Sequence, residues 1–140
     1  MTQWHEHANI LKFKTPDDWT VDDSDNMTRI FANGKPVMVV KYIILEDEES
    51  FDDDCDHALG EYIRENNLKV ENNMFYKYKG VKRNFAYCDG TDKDGLVKLW
   101  SASRFPVMAL GIYRVGNDED EMYAAARVMD SMKFRNAFTA

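Results

Sequence analysis

The sequence contains few of the residues on which covalent and metal chemistry usually depends. Its 140 residues include two cysteines, Cys55 and Cys88, and three histidines. No Cys-x-x-Cys spacing occurs, which excludes the common zinc and redox motifs. Domains held together by disulfides carry a denser set of cysteines. The sequence therefore predicts two reduced thiols in a reducing compartment.

Long apolar runs are also missing. A membrane-spanning helix needs about 20 consecutive apolar residues, and no segment approaches that length. The segment from Met1 to His7 has neither the basic leader nor the apolar stretch of a signal peptide. With 44% hydrophobic and 13% aromatic residues, the composition is that of a globular protein. We expect a cytoplasmic protein with no membrane association, built as one domain over residues 1–140.

The negative charge of the chain is concentrated in one segment. The formal net charge is −7, from 25 acidic and 18 basic residues. The rest of the chain is nearly neutral, with its basic residues interspersed, so nucleic-acid binding is not expected. By charge complementarity, the acidic segment is a candidate partner-binding patch for a basic protein. The patch consists of Glu46, Asp47, Glu48, Glu49, Asp52, Asp53, Asp54 and Asp56.

Sequence periodicity in the first half predicts strands followed by a helix. Asn9–Phe13 is a short strand ended by Pro16. Asn33-Gly34 predicts a tight turn between strands Thr28–Ala32 and Val37–Leu45, because both residue types readily take positive φ. The second of these strands is apolar on both faces, which indicates a central position in a sheet. A helix follows, with its start near Ser50 and its apolar stripe formed by Phe51, Cys55, Ala58, Leu59, Tyr62 and Ile63.

The second half predicts consecutive antiparallel strands and a closing helix. Alternation from Val81 to Val115, interrupted by short turns, is typical of a meander. Acidic residues after Asn117 and basic residues near Lys133 suit the two ends of a helix dipole. The stripe Met122, Ala125, Met129 and Met132 should be buried, and Glu119 and Glu121 exposed. The predicted class is α+β, an antiparallel sheet with flanking helices.

Two short motifs at opposite ends of the chain resemble those of a known fold. Phe13-Lys14-Thr15-Pro16-Asp17-Asp18-Trp19 is similar to the opening strand and turn, and Met129-Asp130-Ser131-Met132-Lys133-Phe134 to the closing helix, of PsbP-like proteins. These proteins include the photosystem protein PsbP, the bacterial DcrB family and the Mog-type nuclear import factor that binds the Ran GTPase. The resemblance implies a PsbP-like fold and a protein that binds other proteins rather than an enzyme. Ran-binding and manganese-binding residues have no matching positions here.

The acidic segments do not have the spacing of a calcium site. Neither the patch nor the turn containing Asp89, Asp92 and Asp94 has the ligand pattern of a calcium loop. Placing Gly95 at the sixth loop position would put Gly90 first and Ser101 last, and neither offers a carboxylate. A solvated turn and an acidic helix start are the expected structures, and no metal or cofactor is predicted.

Nucleophilic catalysis is not predicted either. Ser101, Ser103, Cys55 and Cys88 are present, but none lies in a known pairing with a histidine. His5 and His7 share one side only if their segment is extended, and a frayed N-terminus is expected there. His57 is expected at a helix surface beside Asp53 and Asp56.

These observations favour a non-catalytic intracellular protein-binding domain, such as an adaptor, a chaperone or an immunity-like protein. Its predicted partner is a basic protein that contacts the acidic patch. The alternative is a small-molecule-binding or hydrolytic domain with a pocket between the sheet and the first helix. A flat exposed aromatic surface beside the acids would favour the first function, and a cavity with convergent polar groups the second.

Overall fold

The fold follows from a computed structural model that describes residues 1–44, 54–70, 76–79 and 83–135. These residues form ten strands and two helices. In chain order they are β1 (Thr2–His7), β2 (Leu11–Pro16), β3 (Trp19–Ser24), β4 (Met27–Ala32), β5 (Lys35–Ile44), α1 (Asp54–Glu65), β6 (Tyr76–Lys79), β7 (Asn84–Asp92), β8 (Gly95–Arg104), β9 (Val107–Arg114), α2 (Glu119–Asp130) and β10 (Lys133–Phe134).

A seven-stranded antiparallel sheet forms the centre of the structure. Its strand order is β3-β4-β5-β9-β8-β7-β6. The predicted hairpin is confirmed as β4 and β5, joined by Asn33 and Gly34 with φ of 53° and 78°. The predicted meander is confirmed as the antiparallel run from β6 to β9. As its two apolar faces predict, β5 is an interior strand, and it pairs with β9 to join the two halves of the chain.

A second, three-stranded sheet joins the two ends of the chain. Its order is β1-β2-β10, with β2 in the middle. The prediction of a frayed N-terminus is wrong, because β1 pairs with β2 over its whole length, from Thr2↔Pro16 to His7↔Leu11. The inward-facing end of β1 is anchored by His7, which is buried. The two-residue strand β10 and the strand β3 are further elements that local periodicity did not indicate.

The central sheet is covered on both faces, and each face has its own core. One face packs against α2 and the three-stranded sheet, through Phe13, Val40, Tyr113 and Met129. The other packs against α1, through Leu59, Cys88, Leu99 and Leu110. Neighbouring residues of β8 therefore enter different cores, since successive side chains of a strand point to opposite faces. Leu99 lies beneath α1 and Trp100 beneath α2.

Helix α2 runs from Glu119 to Asp130 and is shorter than the predicted helix from about Asn117 to Lys133. The reasons are visible at both ends. Its N-cap is Asp118, whose carboxylate accepts from the backbone N–H groups of Asp120 and Glu121. The helix ends before Ser131, since the chain must extend to pair as β10. The predicted stripe is confirmed for Ala125, Met129 and Met132. Met122 and Glu121 are each half-buried, because Glu121 turns inward to accept a hydrogen bond from Tyr113.

Close packing of α2 on the sheet is marked at Gly111 of β9. A Cβ atom added there would lie 2.5 Å from the sulfur of Met129. The absence of a side chain at Gly111 therefore lets α2 approach the sheet. Neither of the helices in the described ranges is long and apolar enough to cross a membrane.

Candidate partner-binding surface

The predicted acidic patch lies mainly outside the described residues. Glu46, Asp47, Glu48, Glu49, Asp52 and Asp53 all fall there, as does the predicted helix start at Ser50. Asp54 is the first residue of α1 and Asp56 the third, and only their backbone is described. Binding at this patch therefore stays a prediction.

A cluster of the opposite charge occupies the outer face of the three-stranded sheet. Strand register places Trp4 of β1 opposite Lys14 of β2, and Lys12 of β2 opposite Lys133 of β10. All four side chains are exposed, while the alternate residues Leu11 and Phe13 face the core. We call Trp4, Lys12, Lys14 and Lys133 the Trp4 surface.

The three lysines of the Trp4 surface converge on one indole. The ammonium groups of Lys12, Lys14 and Lys133 lie 4.7, 4.9 and 5.3 Å from the centroid of the Trp4 ring. These distances are within the range of cation–π attraction. Trp4 itself is 44% exposed, whereas Trp19 and Trp100 are buried. The indole thus holds three like charges close together at the protein surface.

The charges of these lysines are not compensated within the described chain. No carboxylate of residues 1–44, 54–70, 76–79 or 83–135 lies within ion-pair distance of the three ammonium groups. The neighbouring acids have other partners: Glu6 is 2.9 Å from Arg135, and Asp130 is 3.5 Å from Arg83. Mutual repulsion of the ammonium groups would be relieved by an external anion.

A groove of about 630 Å³ leads away from the Trp4 surface past the end of α2. Arg83 lines the groove and donates to the backbone carbonyls of Met129, Asp130 and Met132 at 2.9–3.2 Å. The guanidinium thereby adds hydrogen bonds to carbonyls at the end of the helix, where the Met129 carbonyl also accepts from the Met132 N–H. The other lining residues are Trp4, Lys14, Arg104, Ser131, Met132, Lys133, Phe134 and the acidic Asp130, whose side chain is exposed. The groove combines positive charge with the apolar surface of Phe134 and the Trp4 ring.

Beneath the Trp4 surface, the inner face of β1 contacts a polar cluster that is buried at His7, Thr28 and Tyr42 and exposed at Asp23. The Asp23 carboxylate lies 2.9 Å from Nε2 of His5, 3.2 Å from Nδ1 of His7 and 2.6 Å from Oγ1 of Thr28. Because Thr28 donates to Asp23, its oxygen accepts from the hydroxyl of Tyr42, 2.7 Å away. His7 also stacks on the Tyr42 ring at 4.1 Å. We call His5, His7, Asp23, Thr28 and Tyr42 the inner cluster.

The pKa values of Asp23 and Tyr42 are shifted in opposite directions by their surroundings in the inner cluster. Burial acts to raise the pKa of Asp23, but hydrogen bonds from Thr28, His7 and His5 outweigh it and lower that pKa. Since the carboxylate only accepts, Nδ1 of His7 carries the proton directed at it. Nε2 of His7 has no partner among the described residues. Burial also raises the pKa of the Tyr42 hydroxyl.

Although the inner cluster contains a hydroxyl, an imidazole and a carboxylate, its arrangement is not that of a nucleophilic triad. Thr28 is fully buried and His7 is 2% exposed, so a substrate cannot reach either group. The threonine proton points to the carboxylate rather than to the imidazole. The cluster instead attaches β1 to β3, β4 and β5.

The thiols and serines considered above as nucleophiles are all buried in the structure. Cys55 and Cys88 are reduced thiols, and both are buried. Sγ of Cys55 lies 3.0 Å from Oγ of Ser103 between α1 and the sheet. Burial, followed by the charge of Asp89, raises the pKa of Cys88 to about 11, so its reactive thiolate is scarce at neutral pH. Ser101 is also buried.

The acids of the turn between β7 and β8 are engaged with basic residues. Asp92 lies 2.7 Å from Arg114, and Asp89 lies 3.1 Å from Lys98. The hydrogen bond from Arg114 lowers the pKa of Asp92 to about 2. Within the described part of the chain, no three His, Cys, Asp or Glu residues are grouped as a metal site.

A smaller cavity corresponds to the alternative pocket between the sheet and the first helix. It measures about 300 Å³ and lies between β5 and α1. Lys41 of β5 sits over the ring of Tyr62 there, with 5.7 Å between ammonium and centroid. Glu61 and Glu65 form its polar rim and Ile43 its apolar side. His57 lies on the exposed face of α1, beside Glu61 at 3.1 Å.

Comparison with known proteins identifies the fold. No family model and no curated protein matches the sequence. Among solved structures, the cyanobacterial PsbP protein (CyanoP) of Synechocystis sp. PCC 6803 superposes with a TM-score of 0.71. The match covers 96% of this chain and 92% of CyanoP, at 8% sequence identity. The chain has a PsbP-like fold.

A second structure, of a protein from Bacteroides thetaiotaomicron, matches less completely. Its TM-score is 0.54 at 12% identity, over 89% of this chain but 45% of that protein. At these identities the comparisons establish the PsbP-like fold, and that fold alone. The resemblance inferred from the Pro16–Trp19 turn and the Met129–Phe134 helix end is thereby confirmed.

Sequence reasoning missed the Trp4 surface. Lys12 and Lys14 are visible as an alternating pair on one strand, and Trp4 as an isolated aromatic. Nothing local indicates that Trp4 and Lys133 flank that strand, because the pairing joins opposite ends of the chain. The available signal for a strand was that, in an extended segment, His5 and His7 lie on one side and Trp4 on the other.

Proposed function

We propose that this chain is a non-catalytic protein-binding domain and that the Trp4 surface recognises an acidic region of its partner. The observation that carries the proposal is the convergence on one exposed indole of three ammonium groups that have no ion-pair partner among the described residues. Tryptophan is enriched among the residues that dominate binding energy at protein interfaces. Charge complementarity adds specificity and speeds association.

The contacts of the candidate nucleophiles support a non-catalytic role. Cys55, Cys88, Ser101 and Thr28 are all buried. Nucleophilic catalysis requires an accessible nucleophile beside a base. The PsbP-like fold gives no support for a particular activity, since one fold hosts many functions.

Location in the cytoplasm remains part of the proposal. Its support is that Cys55 and Cys88 are reduced thiols, which suits a reducing compartment. A basic partner at the acids between Glu46 and Asp56 also remains part of the proposal. That patch shares no residue with the Trp4 surface and is tested separately below.

The alternative of a small-molecule-binding or hydrolytic domain is favoured by one observation, the cavity of about 300 Å³ between β5 and α1. Its polar lining is concentrated on α1, where Glu61 and Glu65 lie at the rim. The Trp4 surface is the stronger candidate, because none of its three ammonium groups has an ion-pair partner among the described residues and an external counter-charge would be attracted there.

Affinity capture with matched variants tests the proposal. The test variant is Lys12→Gln/Lys14→Gln/Lys133→Gln, and the control is Lys35→Gln/Lys69→Gln/Lys93→Gln, which removes the same charge from other exposed lysines. Immobilised parent and control should retain the same protein from a native lysate, and the test variant should lose it. Equal retention by all three would contradict recognition at the Trp4 surface.

A further inference from the structure

The backbone positions of the lysines on the Trp4 surface follow the period of an extended chain. Lys12 and Lys14 are two residues apart on β2 and point to the same side. Residues at that spacing in a strand are separated by about 6.6–6.8 Å along its axis. Lys133 lies on the neighbouring strand directly opposite Lys12. The Cα atoms of these lysines therefore lie along and beside one strand direction, while their ammonium groups converge on the Trp4 ring.

The indole keeps these cations in place. Each ammonium group is within 5.3 Å of the Trp4 centroid, so lysine side chains that are usually mobile are drawn to one point. A surface that is ordered before binding loses less conformational entropy on association. The ammonium groups are thus already positioned in the free protein, where a partner can match them.

From this geometry we infer that the partner presents an extended segment in which acidic residues alternate with other residues. Such a segment places every second carboxylate on one side, so that successive acidic residues can contact the converged ammonium groups together. An apolar side chain of the segment fits the adjoining groove against Phe134. This inference rests on the proposed function and specifies the chemistry of the partner.

The charge distribution of the whole chain favours an acidic protein over a nucleic acid. The formal net charge is −7, which repels a long phosphate backbone outside the immediate Trp4 surface. Single-strand binding commonly uses several aromatic platforms along a basic groove. Here Trp19 and Trp100 are buried, and Trp4 is the exposed tryptophan.

Two synthetic peptides of identical composition test the inference. Each has nine residues, three glutamates and six threonines, with glutamate at every second position in one peptide and at every third in the other. In an extended chain the second peptide turns one glutamate away from the surface. The probes are titrated at low salt, where exposed charge pairs are least screened. The indole N–H signal of Trp4 in two-dimensional NMR locates the binding.

The alternating peptide should bind about threefold more tightly than its isomer, the effect of one exposed ion pair. The difference should vanish in Lys12→Gln/Lys14→Gln and persist in Lys35→Gln/Lys69→Gln. Equal affinities for the two peptides would overturn the inference. So would tighter binding of an oligothymidylate of nine nucleotides at the same salt concentration. If lysate capture still depends on the Trp4 surface, those results leave the proposed function standing.

Discussion

The two faces of β1 differ in how their charges are balanced. On the inner face, the Asp23 carboxylate is contacted by His5, His7 and Thr28, so the protein itself supplies the partners of this charge. On the outer face, the ammonium groups around Trp4 have no carboxylate partner within the described chain. A charge balanced internally contributes to holding the fold together. A charge left unbalanced at the surface is available to a partner.

The comparison predicts that variants of the inner cluster alter stability and variants of the Trp4 surface alter binding. The largest change in stability is expected at a core residue. Met129 is fully buried and packs against Gly111. Met129→Ala should lower the free energy of unfolding by about 2–5 kcal/mol, because it leaves a cavity that the sheet cannot fill. A change within about 0.5 kcal/mol in urea melts would contradict that packing.

The inner cluster should give the next largest effect. Asp23→Ala removes the acceptor shared by His5, His7 and Thr28, and should cost about 1–3 kcal/mol in denaturant melts. Asp22→Ala, at the exposed neighbouring position of β3, is the matched control and should change stability by less than about 0.5 kcal/mol. Equal effects of the two variants would remove the distinction between the faces of β1.

The pH dependence of that effect follows from the lowered pKa of Asp23. A carboxylate with a folded pKa below its unfolded pKa of about 3.9 contributes stability that is fully present above the unfolded value. The contribution is lost as pH falls through the folded pKa. The stability difference between the parent and Asp23→Ala should therefore be constant from pH 7 to about 5 and shrink toward pH 3. A difference that grows with acidification would contradict the hydrogen bonds to Asp23.

The Trp4 surface should respond in the opposite way. Lys12→Gln/Lys14→Gln/Lys133→Gln should change the free energy of unfolding by less than about 0.5 kcal/mol, since no ion pair of the described chain is lost. Its affinity for the captured partner should fall about tenfold or more, from three lost charge pairs. Isothermal titration and urea melts on the same samples measure both quantities. Large destabilisation with unchanged affinity would reverse the interpretation of this face.

The acidic patch predicted from the sequence should have the smallest effect, on rates alone. Asp52→Asn/Asp54→Asn/Asp56→Asn, with Asp53 retained for its predicted capping role, should slow association of a basic partner. Raising the salt concentration should weaken binding of the parent more than of this variant. Surface plasmon resonance over a salt series measures both. Equal association rates at all salt concentrations would assign the patch to solubility.

Local sequence determined the elements that depend on residues close together in the chain. The β4–β5 hairpin follows from Asn33-Gly34, and the β6–β9 meander from alternation and short turns. The acidic first turn of α2 predicts a start near Asn117, and the observed N-cap is the next residue, Asp118. The PsbP-like fold was also accessible, because its motifs are a turn and a helix end, both local structures.

Tertiary structure alone decided the candidate site. Trp4, Lys12 and Lys133 meet because strands from opposite ends of the chain pair in one small sheet, and no local pattern specifies that register. Because of the same pairing, one face of β1 contacts Asp23 through His7, and the opposite face carries the exposed Trp4. Composition and spacing report what each segment prefers. Which charges remain without a partner depends on which segments the fold brings together.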